Sequence, residues 1–328
     1  MKSIINRSDE LSRRAFLSQT AGGLLGVSLM PSLAPTSLFA QTRNPSAKAN
    51  KVIYLYMSGG MSHMDTFDPK PGADEQGPVQ AIDTNVDGIK ISEYLPSLAR
   101  QMDKMALVRS LSSTQGAHEQ GQYFMHSSYT PRGTIQHPGV GAWMHRLDGR
   151  KNSTLPASVR IGGSSRGSGS GFLESKFAPL VINNPNDGLK NSKRRKGMSE
   201  KEFKDRLDLA SAFDEEFHQR YNHKKVRAYT DMYEDAIRLM KSEDLKAFDL
   251  NKESKDVRDE YGDNSFGQGC LLARRLIEND VRFVEVSLGG WDTHNNNFDS
   301  VSRRAGVLDQ AMATLISDLE RRGLLEET

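Results

Sequence analysis

Two short stretches of this chain bring together residue types that hold divalent metals. "SGGMSHMDTFDPKP" (Ser58–Pro71) offers His63, Asp65 and Asp68. "GGWDTHNNNF" (Gly289–Phe298) offers Asp292 and His294. Carboxylate oxygen and imidazole nitrogen are the ligand set for Zn, Mn or Fe, with Mg or Ca favoured when carboxylates dominate. Glycines precede each cluster and let the backbone turn sharply enough to bring side chains together. The bland alternative for each residue is a capping or turn-forming role on a surface loop. A third stretch, "SSTQGAHEQGQYFMHSSYTPRG" (Ser112–Gly133), carries His118 and His126. His118 follows Gly116 and Ala117 at a loop-to-helix position, where free backbone N–H groups favour an anion. His126 stands in an apolar-aromatic stretch and reads as a packed histidine.

Strands must end where these loops begin. "KVIYLYM" (Lys51–Met57) is a continuous β-branched and aromatic run, the pattern of a strand buried on both faces in a parallel sheet. "VRFVEVSL" (Val281–Leu288) is a second such run, immediately before the Asp292 loop. "KMALVRSL" (Lys104–Leu111) and "ASVRIGG" (Ala157–Gly163) are further candidate strands. Helices are predicted at Ser199 to about Tyr221, with a Ser199–Glu202 capping box, at Lys225 to about Phe248, at Gly267–Glu278 and at Ser300–Arg322. The last shows an apolar side of Val301, Leu308, Met312, Leu315 and Leu319. The alternation of strand and helix argues for an α/β fold. Active sites in such sheets form where loops leave the carboxyl ends of strands. Trp291 there either lines a pocket or covers the end of the sheet, with lining the favoured reading.

The 328 residues are 36% hydrophobic and 26% charged, which suits a globular protein with a sizeable core. The formal net charge of +2 is carried by residues 1–41, where Lys2, Arg7, Arg13 and Arg14 stand against Asp9 and Glu10. The neutral remainder lacks the basic face of a nucleic-acid binder. "LSRRAFLSQTAGGLLGVSLMPSLAPTSLFA" places an arginine pair before an apolar stretch too short for a permanent span, the form of a twin-arginine export signal. Residues 42–50 read as a linker. Export by that route carries folded proteins to the periplasm or beyond, and engages the twin-arginine export machinery. The single Cys270 cannot form an internal disulfide and reads as a buried thiol. "GGSSRGSGSGF" (Gly162–Phe172) is a loop without a Walker signature, and "KNSKRRKG" (Lys190–Gly197) is a solvated basic loop. No Gly-x-Ser-x-Gly elbow, Cys pair or dinucleotide fingerprint is present.

The leader, "GGMSHMDTFDPKP", "KAFDLNKESKDVRDEYG", "FGQGCLLARRLIENDVRFVEV", "GGWDTH" and "DLERRGLLEET" together resemble the secreted bacterial family called domain of unknown function 1501, classed with alkaline phosphatases and sulfatases. The resemblance covers nearly all of Lys51–Thr328. It implies an alkaline-phosphatase-like α/β/α sandwich with a mostly parallel sheet, a helical insertion at about 199–250, and a divalent-metal centre at the sheet's carboxyl edge. By position it implies that Asp65, Asp292 and His294 are metal ligands, with His63 beside them. His118 then stands where the superfamily keeps a Ser, Thr or Cys nucleophile, so its role is open between nucleophile, general base and ligand.

The family pattern continues past "GLLEET" with a strand bearing a Gly-Glu-Phe-Gly-Arg motif and a later Gly-Arg-Asp-His segment. The expectation is therefore a chain cut short, missing C-terminal strands and some ligands, with weak metal affinity. Two functions stay in play. One is an exported metal-dependent hydrolase of phosphate or sulfate esters, with Arg109 or Arg132 facing the transferred anion. The other is a non-catalytic exported binding protein, for polysaccharide for example, on the same scaffold.

Overall fold

The computed structural model describes residues 48–163, 166–190, 192, 194–220 and 233–328. The export signal expected at 1–41, and the first half of the helix expected from Lys225, lie outside them. Residues from Ala49 to Thr328 form one compact unit.

The order of the main elements is β1 (Val52–Met57), β2 (Ala81–Asp83), β3 (Lys90–Ser92), α1 (Pro96–Ala99), α2 (His118–Ser127), α3 (Val140–Asp148), β4 (Ser158–Ile161), β5 (Leu180–Ile182), α4 (Glu200–Arg220), α5 (Lys255–Tyr261), α6 (Ser265–Glu278), β6 (Phe283–Leu288) and α7 (Asn297–Arg321). Residues 233–240 are also helical. Four strands form one sheet in the order β1-β6-β4-β5, every neighbouring pair parallel. β2 and β3 make a separate antiparallel hairpin. This is a mixed α/β architecture around a parallel sheet, as the alternation of strand and helix predicts.

The period-2 alternation of strands assigns the two faces of the sheet. In register, Tyr54 lies beside Glu285 and Tyr56 beside Ser287. With Phe283 these residues form a polar-aromatic face, which α2 covers through His126, its ring edge-on to Tyr54 and Tyr56. The alternate residues Ile53, Leu55 and Met57 of β1 and Val284, Val286 and Leu288 of β6 form an aliphatic face within the main core. On that side α6 approaches so closely that a Cβ at Gly269 would lie 2.8 Å from the Val286 side chain. Helices therefore cover both faces of the sheet, an α/β/α sandwich.

Local sequence explains the helix ends. Ser199 and Glu202 form the expected capping box, the Ser199 N–H donating to Glu202 Oε2 and the Glu202 N–H to Ser199 Oγ. Asn264 caps α6 by accepting from the Phe266 and Gly267 N–H groups. In α7, Val301, Leu308, Leu315 and Leu319 are buried as their spacing predicts. Cys270 is fully buried in α6, and burial pushes its thiol up, so it is no nucleophile.

The strand expected over Lys104–Leu111 does not form. Met102–Lys104 is a 3-10 turn and the following residues join no ladder. Met105 and Leu107 turn toward the core, while Val108 and Leu111 are 71% and 75% exposed. The run has apolar cover on one side only, and among the described residues no strand pairs with its backbone. The short strand β5 and the β2–β3 hairpin were not apparent in the sequence.

Candidate metal centre

Two loops leave the carboxyl end of the sheet side by side. The Ser58 N–H donates to the Leu288 carbonyl and the Trp291 N–H to the Ser58 carbonyl. Between them the β1 loop passes so near the β6 loop that a Cβ on Gly59 would meet the Asp292 nitrogen at 2.4 Å, and Gly59 adopts φ +117°. Only glycine tolerates both the contact and the backbone conformation. Trp291 does not line a pocket: it is 1% exposed, sealing the end of the core beneath the loop. A large apolar side chain at a strand end stabilises more when covered than when facing solvent.

Above Trp291 three side chains converge. His118, the first residue of α2, points Nε2 at Asp292 Oδ2 from 3.4 Å. His294 Nε2 lies 2.9 Å from Asp292 Oδ1. The two imidazole rings meet at 70° with centroids 6.1 Å apart. One ligand atom from each residue lies within 4.8 Å of the other two, the only such grouping of three among the described residues. All three side chains are solvent-exposed. Two imidazoles and a carboxylate grouped this closely are a donor set that could hold one divalent cation with open positions left over. The N-terminal N–H groups of α2 lie beside the cluster, with no side chain capping them.

The other expected ligands lie elsewhere. Asp65 is buried and accepts a 2.9 Å bond from Asn297 Nδ2, while Asn297 Oδ1 accepts from the Thr293 hydroxyl at 2.5 Å. Asp65 thus ties the β1 loop to the first turn of α7, next to the metal-type cluster without being part of it. The His63 ring is exposed, and the residue contributes its carbonyl, which accepts from the Thr66 and Asp68 N–H groups and shapes the loop. Asp68 is engaged by Lys70 and Arg109. Arg109 also donates to the Lys90 carbonyl. Asn297 and Thr293 were missed in the sequence, although Asn297 lies inside the quoted asparagine run.

Behind the cluster, His126 is buried as expected. Its Nδ1 lies 2.7 Å from the Gln122 carbonyl and its Nε2 3.1 Å from Glu285 Oε1. Burial, followed by the nearby Glu285 charge, pushes the Tyr54 phenol up to about 12, so it stays protonated.

A family model described as protein of unknown function, DUF1501, matches residues 49–328. The chain belongs to the DUF1501 family. No curated protein matches it, and no solved structure does. The matched span of this DUF1501 member contains every residue of the cluster, from His118 to His294.

Proposed function

We propose that this DUF1501 protein is a metal-dependent hydrolase of phosphate or sulfate esters, exported by the twin-arginine route to the periplasm or the cell exterior. The observation that carries the reading is the convergence of His118, Asp292 and His294 at the carboxyl edge of a parallel sheet, beside the free N-terminus of a helix. These three residues would hold the cation. A Zn, Mn, Mg or Ca ion in such a place polarises an ester oxygen and lowers the pKa of bound water. Asp292 holds both imidazoles close, His118 Nε2 at 3.4 Å and His294 Nε2 at 2.9 Å, and so keeps the three donor groups together. The α2 N–H groups supply preorganised donors for the developing oxyanion. Asp65, through Asn297, fixes the loop from which His294 projects. Among the described residues no helix is long and apolar enough to cross a membrane.

The test is hydrolysis of aryl phosphate and aryl sulfate esters with each of the four metals added in turn. Turnover abolished by Asp292→Ala, with loss of bound metal by elemental analysis, is the expected result. Absence of turnover with every metal and both esters would overturn it. A second reading, a non-catalytic binding protein, is favoured by one observation: the first position of α2 holds His118 rather than a hydroxyl or thiol. Retained saccharide binding without turnover would establish that reading instead.

A further inference from the structure

A cleft of about 530 Å³ lies along α2 from the residue after His118. It is lined by Glu119, Gln120 and Tyr123 of α2, by Arg166 and the glycines at 167, 169 and 171, and by residues of the 131–137 segment, Arg132 and His137 among them. Two arginines therefore line this space. Arg132 has no acidic partner among the described residues. Arg166 pairs with Glu119 at 3.1 Å, with both side chains more than 60% exposed. An ion pair this exposed contributes little and exchanges readily for another anion.

The His137 side of the cleft is firmly held. The Tyr123 hydroxyl accepts the His137 backbone N–H at 2.6 Å and lies 2.7 Å from His137 Nδ1. The His137 ring stacks on Tyr129, centroids 4.0 Å apart and 7° from parallel, and Phe172 stands edge-on to it at 6.3 Å. Tyr129 and Phe172 are 48% and 54% exposed although both are large and apolar. Tyr129 and Phe172 do not line the cleft but both touch His137, which does, and so stand at its edge. Exposed rings at the edge of a cleft lined by two arginines match the chemistry of an acidic sugar: C–H faces stack on rings, and a carboxylate or sulfate takes paired N–H donors.

We propose that this cleft is a subsite for an anionic saccharide, holding a carboxylate or sulfate substituent between Arg132 and Arg166 and a sugar ring on Tyr129 and Phe172. It deepens the ester-hydrolase reading and rests on it for the idea that the neighbouring His118 cluster acts on the same molecule. Recognition by the cleft itself needs no metal, so its test is separate.

Calorimetric titration in chelator, with a κ-carrageenan tetrasaccharide that carries sulfate and no carboxylate, a galacturonate tetramer and neutral isomaltotetraose, reads the subsite alone. The expected result is binding of an acidic probe at least about tenfold tighter than the neutral one, with that preference lost in the R132Q/R166Q double variant. The sulfated and carboxylated arms identify which substituent is preferred. Exchanging Lys201 and Lys204, exposed on α4, for Gln leaves the Kd within about twofold if the effect is local rather than a matter of net charge. Absence of binding by both acidic probes overturns the proposal, as does equal loss in the α4 variant or undiminished preference in the arginine variant. Failure of ester turnover with intact saccharide binding sinks the hydrolase reading and leaves the subsite standing.

Discussion

His126 Nε2 lies 3.1 Å from Glu285 Oε1, with both side chains almost fully excluded from water. The other ring nitrogen faces the Gln122 carbonyl, so each imidazole nitrogen meets an oxygen and the pair must hold a proton between its members. This bond fastens α2, which begins with His118, to β6, which leads to Asp292. Removing the carboxyl by Glu285→Ala leaves a buried nitrogen unpaired, at a cost of about 1–3 kcal/mol. It is also expected to loosen the His118–Asp292 register and so to lower the divalent-metal affinity proposed for the cluster. Glu285→Gln keeps an acceptor for the ring N–H and is expected to recover most of both losses. Urea unfolding and metal titration on the two variants check this; unchanged metal affinity in Glu285→Ala would mean the bond has no part in positioning.

Gly59→Ala is expected to harm the site more than the fold. Its methyl would meet the Asp292 backbone nitrogen at 2.4 Å, at a φ of +117° that L side chains rarely adopt. The exposed Asp292 loop yields more easily than the buried ends of β1 and β6, so the strain is relieved there. Metal affinity should drop about tenfold or more while the melting temperature falls by only a few degrees. A large loss of stability with intact metal binding would contradict this.

Residues whose role is set by neighbours in sequence were legible; those set by distant partners were not. β1 and β6 announced themselves as apolar β-branched runs and β4 more weakly, and the Ser199 capping box and the apolar side of α7 follow from spacing. Asp292 and His294, two residues apart in one loop, were recognisable as a potential ligand pair. That His118 joins them depends on where α2 docks on the sheet, which no local pattern encodes. Asp65 carries the same residue type as Asp292, yet its partner, Asn297, lies across the loop junction. The Lys104–Leu111 run failed as a strand because its alternation satisfies either a strand or an extended segment with one covered side. Only the absence of a pairing partner separates the two.

The pH dependence of stability has a marker in His145. Burial, and next the charge of Arg150, pull its pKa down from 6.5 to about 4. The folded state therefore holds it neutral while the unfolded chain protonates it near 6.5. A depressed folded pKa gives stability that is complete above the unfolded value and is lost as pH falls toward the folded one. Unfolding free energy should thus decline from pH 6.5 to 4, with this one group contributing a slope of at most about 1.4 kcal/mol per pH unit. The half-exposed ring reduces the total below that ceiling. His145→Gln should flatten the slope in that window, as read by urea unfolding across the series; an identical slope would assign the decline to another group.

A second, more acidic limb is expected from the ion network that joins α5, α6 and α7. Arg274, 1% exposed, donates to Glu278 at 2.9 Å and stands 3.0 Å from Asp318 and 3.1 Å from Glu253. Tyr261 donates to Asp318 at 3.0 Å. Burial alone would raise the Asp318 and Glu253 carboxyls, but their arginine partners outweigh it and hold both below the ordinary values of 3.8 and 4.5. Their contribution is therefore present above about pH 4.5 and lost as pH falls through the lower folded values. Arg274→Met removes the cation shared by two largely buried carboxylates, although Asp318 keeps Arg322 and Glu253 keeps Arg275 as partners. It should cost about 1–3 kcal/mol at pH 7, where the carboxylates are charged. Near pH 3 the cost should shrink, because protonation removes the charge that Arg274 balances. Urea unfolding of both proteins at the two pH values reads the difference. A penalty of equal size at pH 7 and pH 3 would mean that Arg274 acts through packing of its side chain and not through its charge.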